Sequence, residues 1–468
     1  MENNVKFEAE NASAVNGNQP NKAENPMGFA PLLPLIAKMS LPSIFSMLIQ
    51  ALYNIVDSMY VAQLSETALS AVSLVFPVQL LITAVSVGTG VGLSSFISRK
   101  LGEKRLDLAE SGISHGILFC NLEYLIFLLF GIFGSRLFAT AFTDDPNLVN
   151  PVTTYCTIIS IGSIFIFNAL AGERCMQACG NMIFPMYCQL IGSITNIILD
   201  PIMIFGKFGC PALGVAGAAY ATIIGQLFSM IATYIFLYKG NFPIRINFKG
   251  FKYNAKTVKD IYAVALPAMV MQAISSVTTV LMNKILIGFS DTAVAVLGAY
   301  FKLQSFVFMP IFGLNQGILP IMGYNFGARK KDRLIQTLKI SLIIAASIMV
   351  VGKLVFQFMP EALLGIFDAS ENMLKIGIPA LQITSWCFIP AAFGIIPGAM
   401  FQATGHGTYT MINSILRQIV VIMPSAIILS KYIGETGVWV SYILAEGISL
   451  VYTWTMVRRL YRREIVNL

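Results

Sequence analysis

The stretch LPSIFSMLIQALYNIVDSMYVAQL, Leu41–Leu64, is apolar along its length except for one stripe, and the stripe ends in a carboxylate, Asp57. At about 1.5 Å rise per residue, a helix of this length crosses a bilayer core of ~30 Å. Gln50, Tyr53 (with Asn54 beside it) and Asp57 recur at i, i+3/i+4, i+7, so they share one face. A charge within a spanning helix costs roughly 2.5–3.5 kcal/mol and faces a bundle interior or a wet cavity. The stripe contains no base to satisfy the acid. It therefore points to an ion or substrate path.

The whole chain fits that environment. Hydrophobic residues make up 56%, charged residues only 12%, and the mean hydropathy is +0.73, whereas soluble domains carry about 25% charged residues. The fold class expected is an all-α membrane protein. The net charge of +8 does not read as nucleic-acid binding, because the bases sit in short loops between apolar segments. Seven cysteines and two histidines show no metal-ligand or disulfide-framework spacing. The polar segment 1–30 has no apolar signal core and is expected to be a disordered cytoplasmic tail.

Twelve spans are expected near 41–64, 70–98, 113–138, 151–176, 182–206, 213–238, 262–287, 294–323, 335–358, 374–399, 409–430 and 434–457. Bases follow spans two (Arg99, Lys100, Lys104, Arg105), six (Lys239, Arg245, Lys249, Lys252, Lys256, Lys259), eight (Arg329, Lys330, Lys331, Arg333) and twelve (Arg458, Arg459, Arg462, Arg463). All fall on one side. Glu66, Asp144, Asp145, Asp291, Glu361, Asp368 and Glu371 fall on the other. The positive-inside rule then places both termini in the cytoplasm.

An internal repeat organises these spans. Leu41-Pro42 matches Leu266-Pro267, Gln79 matches Gln304, and Gly88, Gly92 and Gly102 match Gly313, Gly317 and Gly327, every pair separated by 225 positions. The register returns at Gln177-Ala-Cys-Gly180 against Gln402-Ala-Thr-Gly405. The chain divides accordingly into an N-lobe (31–238), a basic cytoplasmic linker (239–260), a C-lobe (261–460) and a short tail (461–468). Two parallel six-span repeats imply a pseudo-twofold axis along the membrane normal and a cavity between lobes.

The asymmetry of the repeat locates the chemistry. Asp57 has Met282 as its partner and Asp200, with a small shift of register, has Met423, so only the first lobe carries these acids. Asp200 ends a second stripe, Ser193, Asn196 and Asp200, at i, i+3, i+7. Both acids come late in outward-running spans, and Thr222 on span six reaches a similar depth. Two carboxylates with an amide and a hydroxyl form an all-oxygen site suited to Na⁺, and the same pair can hold a proton. A simpler reading of Asp200-Pro201 is a helix end at the membrane interface. Lys284, Lys302, Arg417 and Glu446 look buried in the C-lobe. An Arg417–Glu446 pair is expected there, and Lys302 is a candidate to repel or replace a cation.

LPSIFSMLIQALYNIVDSMYVA, NIILDP, GVAGAAYAT and QSFVFMPIFGLNQGILPIMGYNFGAR resemble the multidrug and toxic compound extrusion (MATE) family, nearest its DinF/MepA-like bacterial branch, over roughly 27–460. The resemblance implies twelve helices in two lobes and drug efflux driven by Na⁺ or H⁺ influx. It further implies a cation site on Asp57, Asn196, Asp200 and Thr222, which would be the Na⁺ ligands if sodium is the coupling ion. Substrate contacts are expected at Gln50, Tyr53, Asn54, Asn168 and Ser193, and bending of the first helix at Pro42. The NorM-like branch carries acids on helices seven and ten; the corresponding stretches here have none, which favours the N-lobe.

The expectation is a monomeric secondary antiporter in the inner membrane of a bacterium, with no cofactor beyond the coupling ion H⁺ or Na⁺. Its partners would be amphipathic, often cationic small molecules and the lipid bilayer, with no nucleic acid. A lipid-linked oligosaccharide flippase is the alternative, but it calls for a strongly cationic cavity. An enzyme is not expected, because HExxH, GxSxG-with-His and Walker motifs are missing.

Overall fold

A computed structural model describes residues 25–143, 145–246, 251–367 and 369–468. The expectations for 1–24, Asp144, Lys249 and Asp368 lie outside the described residues, as does the side chain of Glu66.

Twelve spans follow one another, here α1 Leu32–Ala62, α2 Thr67–Gly102, α3 Leu106–Phe142, α4 Pro146–Ala178, α5 Ile183–Phe205 and α6 Val215–Lys239 in the first half. The second half comprises α7 Ala255–Leu286, α8 Asp291–Gly327, α9 Lys331–Phe358, α10 (Glu371–Ser385 with Phe388–Ala403), α11 Gly407–Ile433 and α12 Glu435–Asn467. The end carrying both described chain termini and the Lys/Arg-rich loops is called the basic end below.

The structure refines the spans read from hydropathy, in where they begin and in how straight they run. α1 starts at Leu32 rather than 41, because Leu32, Leu35, Ile36 and Met39 are buried at helical spacing while Lys38 stays exposed. That turn is amphipathic, so continuous hydropathy misses it. α10 is bent by 47° between Ser385 and Phe388, and α4 carries a turn at Ser163, close to the equivalent place in the repeat. α3 and α11 pass through π-helical turns at Phe130–Gly134 and Leu416–Ile422.

The repeated glycines explain how the lobes meet. α2 packs on α7 and α1 on α8, two seams exchanged by the pseudo-twofold. A side chain at Gly92 would place its Cβ 2.5 Å from the Ile261 carbonyl oxygen, and one at Gly317 would lie 2.9 Å from the Ser40 Cα. Gly88 and Gly313 likewise face Met269 and Ile44, while Gly102 and Gly327 abut the backbones of Tyr324 and Arg99. Small residues let helices approach in lipid, where no hydrophobic drive joins them. These seams lie in the basic halves of the helices. The segment Asn25–Ala30 adds a clasp there: Asn25 Nδ2 donates to Cys179 O of the N-lobe at 3.0 Å, and Asn325 Nδ2 of the C-lobe donates to Met27 O at 3.0 Å. The lobes are joined at the basic end.

Candidate functional site

Near the far end of the N-lobe, α5 turns Ser193, Asn196 and Asp200 inward, and all three are buried, Asp200 completely. α6 lies unusually close to α5, because Gly192 and Gly225 face each other across the pair and the Asn196 Cβ rests over Gly225. That approach brings Thr222, one turn earlier on α6, toward Asn196. α1 contributes Tyr53 and Asp57, both half-buried, while Gln50 and Asn54 on the same helix are exposed.

The hydrogen-bond inventory of this cluster does not close. Asn196 Nδ2 donates to Asp200 Oδ1 at 3.3 Å, and the Thr222 hydroxyl donates to its own helix at Ala218 O, 3.0 Å away. Asp57 Oδ1, Asn196 Oδ1 and Asp200 Oδ2 are buried without any hydrogen-bond partner. Among the described residues no base pairs with either acid, so the possibility that a Lys or Arg satisfies Asp57 is not realised. Asp57 and Asp200 stand close enough to interact electrostatically with each other and with the Tyr53 and Tyr155 hydroxyls. Buried acceptors without donors cost about 1–3 kcal/mol each, so these three oxygens leave the pocket short of hydrogen or positive charge. The unpartnered oxygens are of two kinds, carboxylate and amide, and the Thr222 hydroxyl is bonded to its own helix. No group of three His, Cys, Asp or Glu clusters as a metal centre among the described residues.

Two residues of this pocket escaped the sequence reading. Tyr155 of α4 is buried near the acids and accepts from Gln79 Nε2 of α2 at 3.3 Å. Gln79 had a signal, its match to Gln304 in the repeat. Tyr155 had none, being one polar tip in an apolar span.

Asn168 lies in a separate knot. Its Nδ2 donates to Asn121 Oδ1 at 3.1 Å and Ile164 O at 2.9 Å, and its Oδ1 accepts from Asn121 Nδ2 at 3.2 Å and the Tyr234 hydroxyl at 3.1 Å. Two donors and two acceptors are thereby used. The amide braces α3, α4 and α6 and has no capacity left for a ligand.

In the C-lobe the positions equivalent to the acids are filled by buried methionines, Met282 and Met423. Arg417 and Glu446 pair at 2.7 Å, as expected. Lys284 and Lys302 are exposed rather than buried, and the Lys302 ammonium lies 5.8 Å from the centre of the Phe367 ring. Long lysines carry their charge to the end of an apolar span, which hydropathy along the chain does not register.

Fold and pocket together define a class: a helical membrane protein of two repeated lobes, with an acceptor-rich carboxylate pocket in one lobe only. The chain belongs to the MatE family, whose model matches residues 42–202 and again 267–428. It is 27% identical over 439 residues to the multidrug export protein MepA of Staphylococcus aureus (strain MRSA252), covering 94% of this chain and 96% of that one. A solved structure described as the outward-facing conformation of a multidrug resistance MATE family transporter of the MOP superfamily superposes with a TM-score of 0.85. It is 25% identical and covers 94% of this chain and 98% of its own. A MOP superfamily transporter from Pyrococcus furiosus, described as having a binding pocket of reversed polarity, is also 25% identical, with a TM-score of 0.84 and the same coverage.

Proposed function

We propose that this protein is a secondary active antiporter that exports amphipathic, often cationic compounds across the cytoplasmic membrane in exchange for H⁺ or Na⁺. The observation that carries the reading is the trio of buried, partnerless oxygens on Asp57, Asn196 and Asp200. A pocket short of positive charge attracts the coupling ion and a cationic substrate alike, so the two compete for the same lobe. The multidrug export assigned to its relatives supports the substrate class.

With the basic end in the cytoplasm, the lobes are closed inward, and Asp57 and Asp200 take the ion from outside. Neutralising the pair changes what α1 gains by lying straight against α5. Pro42 lacks an amide hydrogen, so α1 has one intrahelical bond fewer at that level and a place to bend. Ion and drug then act through their different affinities for the two states, which is all that coupling requires. Gln50, Tyr53, Asn54 and Ser193 would line the substrate's path beside the ion site.

The test uses purified protein in liposomes loaded with a fluorescent lipophilic cation, with a pH gradient and a Na⁺ gradient imposed separately. Efflux driven by one gradient in the wild type, and lost in Asp57→Asn and Asp200→Asn, is the expected result. Coupled efflux persisting in both variants sinks the assignment.

A further inference from the structure

A second intramembrane carboxylate sits in the seam between the lobes. Glu123 of α3 is half-buried, and both its oxygens are engaged by the Thr89 hydroxyl of α2, at 2.7 and 2.9 Å. Its Oε1 also accepts from the Tyr262 hydroxyl of α7 at 2.5 Å. The Tyr262 ring is held edge-on by Phe119, one turn before Glu123, with centroids 5.5 Å apart. No base is paired with Glu123 among the described residues; its side-chain partners are these two hydroxyls.

The two donors belong to different bodies. Thr89 lies between Gly88 and Gly92, the glycines that bring α2 against α7, and travels with Glu123 in the N-lobe. Tyr262 belongs to the C-lobe. Opening the basic end must separate α2 from α7, and the bond from Tyr262 is then lost while that from Thr89 is kept. Hydrogen bonds to charged groups are the strong ones, more so away from water. The opposite seam has no such device: at the 225 offset, Thr89, Glu123 and Tyr262 correspond to Leu314, Ile348 and Ala37. One of the two pseudo-equivalent seams is thus tied through a carboxylate, whereas the other, along α1, has Ser40 against Gly317 and Gln316 donating to Met47 Sδ but no acid at the equivalent positions.

We propose that Glu123, held by Thr89 within its own lobe and by Tyr262 across the seam, is a latch that sets how readily the basic end of this transporter opens. This rests on the alternating-access reading above but adds a positioning residue outside the ion pocket.

Spin labels at Lys104→Cys and Arg329→Cys, in a background without the native cysteines, report the opening. These exposed positions are repeat partners and flank one groove at the basic end. The distance distribution is measured in lipid nanodiscs across pH, Na⁺ and substrate. Tyr262→Phe removes one hydroxyl and little volume; it is expected to raise the ratio of open to closed populations about tenfold, the equivalent of ~1.4 kcal/mol. Glu123→Gln keeps an acceptor for Tyr262 but weakens the bond by removing the charge, so it shifts the ratio in the same direction by less; the double variant shifts it no further than Tyr262→Phe alone, because that substitution has already removed the bond across the seam. Thr89→Val leaves the ratio within about twofold, since that donor accompanies Glu123 in both states. A wild type that opens, with Tyr262→Phe opening no more readily, overturns the latch alone. So does Thr89→Val matching Tyr262→Phe. A wild type that opens under no condition overturns alternating access and the latch with it.

Discussion

Replacing Asp200 by Asn separates the two demands on the N-lobe pocket, being stable and being an ion site. Among the described residues the one side-chain donor to Asp200 is Asn196 Nδ2, at 3.3 Å, while Asp200 Oδ2, Asn196 Oδ1 and Asp57 Oδ1 have none. An amide at 200 keeps the shape, removes one of two neighbouring negative charges and adds two N–H donors where acceptors are in excess. Satisfying one such acceptor is worth about 1–3 kcal/mol. The ion-free variant is therefore expected to unfold at or above the temperature of the ion-free wild type. The wild type gains stability from the coupling ion by mass action, ~2.7 kcal/mol at a hundred times Kd. Asp200→Asn loses that gain with the charge that produces it. Thermal unfolding of detergent-purified protein provides the measurement, with Na⁺ titrated at constant ionic strength and, separately, protons at constant Na⁺. Whichever ion raises the wild-type midpoint by several degrees, and leaves the variant unmoved, is the coupling ion. An Asp200→Asn protein that keeps the wild-type increment, or that melts well below the wild type without ion, would refute the reasoning.

Gly92→Val and Gly317→Val should lower the thermal midpoint by similar amounts, each costing about 1–3 kcal/mol of overpacking against backbone; Gly298→Ala, which meets nothing within 4 Å, should be neutral, and a cost confined to one seam would deny their equivalence. Glu446→Leu leaves Arg417 without its 2.7 Å partner and should destabilise by roughly 1–2 kcal/mol. Combining Arg417→Met with Glu446→Leu should recover most of that loss, and a double variant as unstable as the single one refutes the pairing argument. Asn168→Ala should cost about 1–3 kcal/mol of stability by stripping Asn121 and Tyr234 of their partner without changing substrate affinity. A weakened substrate Kd at unchanged stability would return Asn168 to the substrate path.

The grouping of the N-lobe acids was largely legible because helical spacing is a local property. Asp57 shares a face with Gln50 and Tyr53, and Asp200 with Asn196 and Ser193, whatever the helices pack against. The repeat added that Met282 and Met423 opposite the acids single out one lobe, and the acids' late place in outward-running spans put them at a similar depth. Gln79 and Tyr155 were harder to see, because a lone polar group on an apolar span looks the same whether it faces a neighbour or a pocket. At Asn168 the structure shows a bonded amide where a substrate contact was expected. Its type suited a substrate contact, but whether an amide is free depends on partners 47 and 66 residues away.

The number of spans, their common basic end, the twofold plan and the one-sided carboxylates were determined by the sequence, since each rests on composition, charge placement or spacing along the chain. Tertiary structure alone decided the use of what was repeated. It put the glycines into the seams where two backbones approach and left Asp57, Asn196 and Asp200 with more acceptors than donors. It also brought Glu123 within reach of a tyrosine from the other lobe. Such outcomes depend on which surfaces meet across the bundle. In a membrane that choice follows from close packing and polar satisfaction between helices far apart in the chain, which no periodicity within one helix encodes.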